Sequence, residues 1–209
     1  MSLYALKPRF QALLRPVVRL LHGIGLTANQ VTVGTCAVSL VLGVALAFAT
    51  RSGQFGWLLL LPLWSLLRMA LNAIDGMLAR EFGQVSTLGA YLNELSDLLS
   101  DAAMYLPFAF LPEVGAGLTV LVIFLANVAE MAGVLGAVTG SRRCNAGPMG
   151  KSDRALVVGL LGLLLGAGVA PGAWLSVALT VVALLLLLTI ANRVRHGLVA
   201  SQADTGRQE

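Results

Sequence analysis

Residues 72–101 read NAIDGMLAREFGQVSTLGAYLNELSDLLSD, a concentration of acidic and amide side chains in the middle of an otherwise apolar chain. Ionisable groups at membrane depth are costly, and where they occur they usually mark a substrate or ion site. This segment is therefore the first candidate for a functional site. The apolar stretches on either side of it decide the fold.

The chain has 209 residues, of which 57% are hydrophobic and 11% are charged. This composition is too apolar for a soluble domain and predicts an all-α polytopic membrane protein. Six stretches approach the ~20 apolar residues that a transmembrane helix needs. They cover residues 30–50, 56–80, 87–111, 116–139, 154–170 and 173–192, and the fifth is short and rich in glycine. We expect an interfacial helix or leader at 1–22, a six-helix transmembrane domain at 23–195 and a cytoplasmic tail at 196–209.

The basic residues indicate which side of the membrane each connection faces. Six spans place both termini on one side, and the basic residues of that side are Lys7, Arg9, Arg15, Arg19, Arg80, Arg142, Arg143, Lys151, Arg154, Arg193, Arg195 and Arg207. The other side has only Arg51, so the positive-inside rule makes the basic side cytoplasmic. The net charge of +4 then reflects topology and anionic lipid headgroups, and we expect no nucleic-acid partner. We expect an integral protein of a bacterial inner (cytoplasmic) membrane, with both termini and the polar segment facing the cytoplasm.

The first 22 residues alternate apolar and basic side chains at roughly helical spacing. A helix lying in the membrane interface would place its apolar side chains in the acyl boundary and its arginines among the headgroups. The apolar side chains are Phe10, Leu13, Leu14 and Val18, and the arginines are Arg15 and Arg19. Because Pro16 interrupts this pattern, a disordered basic leader is the alternative.

Polar side chains recur at helical spacing on two successive spans. One stripe consists of Arg68, Asn72 and Asp75, and the other of Asn93, Asp97 and Asp101. A short connection makes the two helices antiparallel neighbours, so both stripes can face one cavity near the cytoplasmic ends. Oxygen ligands from two helices are what Mg²⁺ or Mn²⁺ needs, and the sequence therefore predicts a divalent-metal site.

The spacing Asn72-x2-Asp75-Gly76-x2-Ala79-Arg80-x8-Gly89-x3-Asn93-x3-Asp97 resembles the signature of the CDP-alcohol phosphotransferases. These membrane enzymes displace CMP from a CDP-linked donor with an alcohol. The resemblance extends to a Leu-Thr-x-Asn element at residues 26–29, an interfacial N-terminal helix and six spans, so it covers most of the chain. It implies that the small residues and the arginine of the signature bind the donor. These residues are Gly76, Ala79, Arg80 and Gly89, and Arg80 alternatively serves as a snorkelling topology anchor.

Two signature positions depart from the family pattern, because Asn72 and Asn93 stand where the family has Asp. The resemblance implies that Asn72, Asp75, Asn93 and Asp97 hold one or two divalent metals, with Asp97 as the general base for the acceptor hydroxyl. Each asparagine keeps a carbonyl oxygen but removes a negative charge that would offset the repulsion between two metal ions. We therefore expect weaker metal binding, a single metal, or a site that the donor pyrophosphate completes.

Two further charged positions have open interpretations. Asp101 lies one helical turn beyond Asp97, so it could restore a carboxylate pair and act as a second catalytic residue, or it could hydrogen-bond a neighbouring helix. Arg68 could pair with Asp75 or Glu130, or reach a lipid phosphate.

A basic, glycine-rich loop occupies residues 141–154, on the same side as the acidic segment. Arg142, Arg143 and Lys151 in this loop could hold an anionic headgroup of the acceptor or of the bilayer. Alternatively, they are topology charges alone.

These expectations favour an integral membrane phosphotransferase of phospholipid biosynthesis that uses CDP-diacylglycerol or another CDP-linked donor, an alcohol acceptor and a divalent metal. The alternative is a catalytically impaired relative that binds nucleotide or lipid, or scaffolds a partner enzyme. The acceptor stays open between inositol phosphate, glycerol phosphate, serine and a larger lipid or sugar alcohol. A homodimer is possible, because glycine- and alanine-rich spans permit close helix contacts.

Overall fold

The computed structural model describes residues 6–138 and 143–205, and this part of the chain is helical without any β-strand. The α-helices are α1 (Leu6–Gly23), α2 (Ala28–Arg51), α3 (Leu60–Glu81), α4 (Thr87–Tyr105), α5 (Ala116–Val138), α6 (Lys151–Gly166) and α7 (Ala173–Thr205). A 3₁₀ helix at Phe55–Leu59 leads into α3, and another at Leu106–Phe110 follows α4. The predicted all-α class is confirmed.

Four helical segments of the described chain are long and apolar enough to cross a membrane. They are Ala28–Arg51, Phe55–Glu81, Ala116–Val138 and Ala173–Val199. The α4 helix carries three acidic residues, and α6 has only 16 residues. A helix of that length spans about 24 Å, less than the ~30 Å of a bilayer's hydrocarbon core. Each helix from α2 to α7 overlaps a predicted span, but the membrane crossing of α4 and α6 stays a prediction.

The ends of α6 and α7 differ from the predicted spans. The α6 helix begins at Lys151 because the Asp153 carboxylate accepts a hydrogen bond from the Gly150 N–H at 2.9 Å and so satisfies the helix start. It ends before Gly168, whose φ of +98 breaks the helix. The α7 helix continues to Thr205, so part of the predicted tail is helical.

Small residues allow close contacts between the helices. The α2 helix packs on α3 and α4, α3 packs on α6, and α5 packs on α7. A Cβ at Gly43 of α2 would lie 2.9 Å from the Ala103 Cβ of α4. A Cβ at Gly162 of α6 would lie 2.7 Å from the Leu61 Cβ of α3. Backbones therefore approach at distances that a larger side chain would prevent, as in membrane helix bundles.

The exterior of the bundle is apolar. Large side chains on its outward faces are exposed, among them Val41, Leu63, Phe124 and Leu184. Exposed apolar surface of this extent marks a region that lipid or protein covers. The buried core lies between the helices, on their inward faces. It includes Leu61, Tyr105, Phe108, Leu125 and Leu165.

The predicted N-terminal helix is present as α1, and it packs on α3. Val18, which we expected in the acyl boundary, is instead fully buried with Ile74 and Leu78. That expectation was wrong, because Val18 lies on the face of α1 that packs against α3. Leu13 and Leu20 remain 74% and 65% exposed, so an outward apolar face is available for an interfacial position, which stays a prediction.

Candidate active site

The turn between α3 and α4 makes the two polar stripes face each other. Gly83 adopts a φ of +66, which glycine reaches without steric cost. The Gln84 N–H donates to the Ala79 carbonyl at 2.9 Å, and the Ser86 hydroxyl caps α4 by accepting from the Gly89 N–H at 3.0 Å. The chain therefore reverses direction within a few residues.

A cavity of about 820 Å³ lies between α2, α3, α4 and the start of α6. All eight positions of the predicted signature line it, namely Asn72, Asp75, Gly76, Ala79, Arg80, Gly89, Asn93 and Asp97. Arg143 and Lys151 line it as well. Sequence spacing thus placed residues from two helices around one space.

Asp75 and Asp97 are the signature carboxylates of this cavity. Asp75 is 6% exposed, and its Oδ2 accepts a hydrogen bond from the Thr32 hydroxyl at 2.8 Å. The Asp97 Oδ2 lies 2.5 Å from the Lys151 Nζ, and its Oδ1 lies 3.4 Å from the Arg68 Nη2. The Asn72 amide also donates to this Oδ1, at 3.4 Å. Asp97 is therefore held by cations and an amide, whereas Asp75 has a neutral partner.

The side chains that line the cavity fit a hard divalent ion. Asp75 and Asp97 offer carboxylate oxygens, and Asn72 and Asn93 offer amide oxygens, which are ligands that Mg²⁺ and Mn²⁺ accept. Within residues 6–138 and 143–205, no three His, Cys, Asp or Glu side chains form a metal-binding group. Asp75 and Asp97 carry two negative charges between them, and Lys151 and Arg68 already pair with Asp97, so this ligand set fits one metal better than two.

Gly76 makes room for the guanidinium of Arg80. A Cβ at position 76 would lie 2.9 Å from the Arg80 Nη2 and 3.2 Å from its Nη1. The arginine side chain therefore folds back over α3 onto Gly76, one turn earlier, and lines the cavity. Its position fits contact with an anionic group in the cavity.

Gly89 lets the start of α4 approach the start of α2. A Cβ at position 89 would lie 2.9 Å from the Asn29 Oδ1. Thr27 caps α2, with its hydroxyl accepting from the Gln30 N–H at 3.3 Å, so the Leu-Thr-x-Asn element forms a helix start beside the cavity. The element thus fixes Asn29 against Gly89.

The first residues of three helices line the cavity. They are Ala28 and Asn29 of α2, Gly89 and Ala90 of α4, and Lys151 and Ser152 of α6. Helix N-termini carry partial positive charge and favour anions, phosphate groups in particular. The cavity therefore has several sources of positive potential besides its basic side chains.

A profile of the CDP-alcohol phosphatidyltransferases matches residues 25–201 of the chain. The chain belongs to this family. Over 201 residues it is also 45% identical to "Inner membrane protein YnbA" of Escherichia coli (strain K12), covering 96% of this chain and 98% of that protein. The resemblance predicted from the signature is confirmed.

Solved structures share the fold of this CDP-alcohol phosphatidyltransferase family member. The Mycobacterium tuberculosis phosphatidylinositol phosphate synthase (PgsA1) in complex with manganese and citrate superposes with a TM-score of 0.72 at 20% identity, covering 88% of each chain. The same enzyme with CDP-DAG bound gives a TM-score of 0.71 at 21% identity, covering 87% of this chain and 92% of that chain. At this identity the likeness establishes the fold alone.

The basic loop of this family member is paired with acidic side chains. Arg143 forms ion pairs with Glu94 and, at 3.2 Å, with Glu130. Lys151 pairs with Asp97 as described above. Arg142, the third predicted headgroup-binding residue, lies outside the described residues. Arg143 and Lys151 reach the cavity, where carboxylates of the chain itself neutralise them.

Asp101 is buried away from the cavity, between two arginines. Its Oδ1 lies 2.5 Å from the Arg68 Nη1, and its Oδ2 lies 2.7 Å from the Arg154 Nη2. This arrangement favours the structural interpretation of Asp101 over a role as a second catalytic carboxylate. The suggested pairing of Arg68 with Asp75 or Glu130 was wrong, because Arg68 binds the carboxylates of α4 that face it.

Sequence reasoning missed three cavity or near-cavity residues in this family member. Thr32 holds Asp75, and Arg154 and Arg193 surround Glu130. We had treated both arginines as topology charges. Each of these arginines is only 2% exposed. An arginine that serves only as a topology charge would instead be exposed to the headgroups. The available signal was the isolated carboxylate Glu130 inside an apolar span, since such a group needs basic partners.

Proposed function

We propose that the protein is an integral membrane phosphotransferase of phospholipid biosynthesis. It transfers the phosphatidyl group of CDP-diacylglycerol to an alcohol and releases CMP. The observation that carries this proposal is that all eight signature positions of the family line one cavity. We place the active site and both termini at the cytoplasmic face of an inner membrane, in line with the basic-residue asymmetry and the name of the Escherichia coli relative.

Several features support a CDP-linked lipid as donor. The cavity combines Arg80 with three helix N-termini, which suits a pyrophosphate. A smaller groove of about 240 Å³ between α3 and α6 shares Asn72 and Lys151 with the cavity and includes Met69 and Ala155. This groove extends the cavity along α3 and α6 and gives room beside the donor phosphates. A relative of the same fold was solved with CDP-DAG bound.

In the proposed reaction, the alcohol oxygen forms a bond to the phosphorus that carries diacylglycerol. The bond between this phosphorus and the bridging oxygen breaks, and CMP leaves with that oxygen. Asp97 accepts the hydroxyl proton, while Lys151 and Arg68 hold its carboxylate in place. Arg80 binds donor phosphate, and Gly76 and Gly89 keep the cavity open beside it. A divalent metal held by Asn72, Asp75, Asn93 and Asp97 would supply positive charge that stabilises the developing negative charge.

The test is CMP release from CDP-diacylglycerol by the purified protein in lipid, with Mg²⁺ or Mn²⁺ and a panel of alcohols. We expect metal-dependent CMP release that requires one of the alcohols. A protein that binds CDP-diacylglycerol but releases no CMP across the panel would refute the enzyme proposal.

The alternative function is that of an impaired relative that binds nucleotide or lipid. The observation behind it is the reduced charge at Asn72 and Asn93, together with Lys151 beside Asp97. The double change Asn72→Asp with Asn93→Asp distinguishes the impaired relative from the active enzyme. Activity that appears only in this variant would favour the impaired relative, whereas wild-type activity that the double change lowers would support an enzyme adapted to its asparagines.

A further inference from the structure

Glu130 of α5 lies inside a cluster of three arginines on the wall of the cavity. Its Oε1 is 2.9 Å from the Arg154 Nη2. Its Oε2 is 3.2 Å from the Arg143 Nη2 and 3.4 Å from the Arg193 Nη1. Glu130 is 7% exposed, so these pairs are largely shielded from water. We call these four residues the Glu130 cluster.

The guanidinium groups of Arg154 and Arg193 are already hydrogen-bonded to the chain. Arg193 donates to the Ala129 carbonyl at 2.5 Å and to the Ala146 carbonyl at 3.3 Å. Arg154 donates to Asp101 at 2.7 Å and to the Met149 carbonyl at 3.4 Å. An arginine has five N–H donors in a fixed fork, and here internal oxygens occupy most of their directions. The N–H groups that these two arginines direct at Glu130 are therefore the ones for which an incoming anion would compete.

The more accessible arginine of the cluster is neutralised as well. The Arg143 side chain is 35% exposed, and it pairs with Glu94 in addition to Glu130. Nearby, Lys151 is paired with Asp97, and Arg68 is paired with Asp97 and Asp101. Each of these positive charges thus contacts at least one carboxylate of the same chain.

The Glu130 cluster stands on a different wall from the proposed donor residues. Gly76 and Arg80 belong to α3, which packs on α1, α2 and α6. Glu130 and Arg193 belong to α5 and α7, which pack on each other. Because the donor occupies the α3 wall in the proposed reaction, the acceptor approaches Asp97 from the wall that holds the Glu130 cluster.

We infer that Glu130 is a built-in counter-ion that closes this arginine cluster to anions, so that the acceptor is an uncharged hydroxyl compound and not a phosphorylated one. The acceptor part of this inference rests on the proposed function. An acceptor phosphate would have to displace Glu130 and leave a buried carboxylate unpaired, which is costly. Arg143 and Lys151 remain acceptor-side residues, but they would donate hydrogen bonds to hydroxyl groups.

The closed state of the cluster is testable without any acceptor. Inorganic phosphate is titrated into the purified protein in detergent, without donor or divalent metal, and saturable sites are counted by calorimetry. We expect Glu130→Gln to gain one phosphate site relative to the wild type, because three guanidiniums lose the carboxylate that they share while the shape is kept. The matched control Glu94→Gln removes the other carboxylate bound to Arg143, and we expect it to gain none. A folded Glu130→Gln protein that gains no site overturns the inference.

The wild-type protein provides a second arm that does not depend on the folding of a variant. CMP release is compared for matched acceptors, glycerol against glycerol 3-phosphate and inositol against inositol 1-phosphate. We expect the uncharged member of a pair to have a kcat/KM at least about tenfold higher. Preference for the phosphorylated member overturns the inference. If no acceptor releases CMP, the proposed function fails, while the phosphate titration still tests whether the cluster is closed.

Discussion

Asp97 is the residue on which the proposed chemistry depends most, since it is proposed both to bind the metal and to act as the general base. Replacing Asp97 with Asn keeps the size of the side chain but removes its ability to accept the alcohol proton. We expect CMP release to fall by about 10²-fold or more, the usual contribution of a positioned general base. The control is Glu113→Gln in the α4–α5 connection, an exposed carboxylate outside the cavity. Equal losses of CMP release in both variants, or none in either, would contradict the role of Asp97.

Gly76 is a second residue whose effect can be isolated. An alanine there would place its Cβ 2.9 Å from the Arg80 guanidinium, and the flexible arginine would move. We expect Gly76→Ala to fold normally and to raise the donor KM about tenfold, as for the weakening of one charge-assisted hydrogen bond. Gly34→Ala is the matched control, because a Cβ at Gly34 of α2 would meet open space. An unchanged donor KM in Gly76→Ala would argue against donor contact by Arg80.

The signature spacing predicted which residues face the cavity, but it could not predict which charges pair. Helical periodicity fixes the face of a helix on which a side chain lies. The partner depends on which helices pack together, which is a long-range property. Arg68 binds Asp101, 33 residues away, and Arg154 binds the same carboxylate from 53 residues away. The sequence therefore left Asp101 open between a catalytic and a structural role, and the structure buries it between two arginines.

At the scale of elements, the contact of α6 with α3 depends on glycine. A Cβ at Gly162 would lie 2.7 Å from the Leu61 Cβ and 2.9 Å from the Leu58 carbonyl oxygen, neither of which can swing aside. We expect Gly162→Ala to destabilise the protein by about 1–3 kcal/mol through overpacking, despite the higher helix propensity of alanine. The measurement is thermal unfolding in detergent. Gly117→Ala in α5, where a Cβ meets open space, is the control. A melting temperature for Gly162→Ala at or above that of the wild type would contradict the close packing.

Hydropathy predicted the existence and order of the helices because each apolar stretch ends at glycine, proline or charge. It was less informative where polar residues continue a helix. The first turn of α6 contains Lys151, Asp153 and Arg154, and it forms because Asp153 caps it and Arg154 is paired. The α1 helix shows a related limit. Its amphipathic pattern predicted an apolar face, but the pattern could not show that Val18 packs on α3 and not on lipid.

At the scale of the whole molecule, the polar interactions join most of the bundle. Ion pairs connect Arg68 of α3, Asp97 and Asp101 of α4, Glu130 of α5, Arg154 of α6 and Arg193 of α7. Buried ion pairs are a weak source of net stability, but breaking one leaves an unpaired charge and is costly. Their arrangement beside the cavity therefore favours a role in fixing the relative positions of the helices that form it.

The predicted number of membrane crossings is six, and it depends on whether α6 crosses the membrane. If this 16-residue helix crosses, the α6–α7 connection lies outside the cytoplasm. We expect a single cysteine at Ala170, in a background with Cys36 and Cys144 replaced by serine, to react with a membrane-impermeant maleimide in intact spheroplasts. A cysteine at Val85, in the α3–α4 turn, should react only after lysis. If both positions require lysis, both ends of α6 lie on the cytoplasmic side, and six crossings are excluded. The physical reason would be the length of α6, which spans about 24 Å against a hydrocarbon core of ~30 Å.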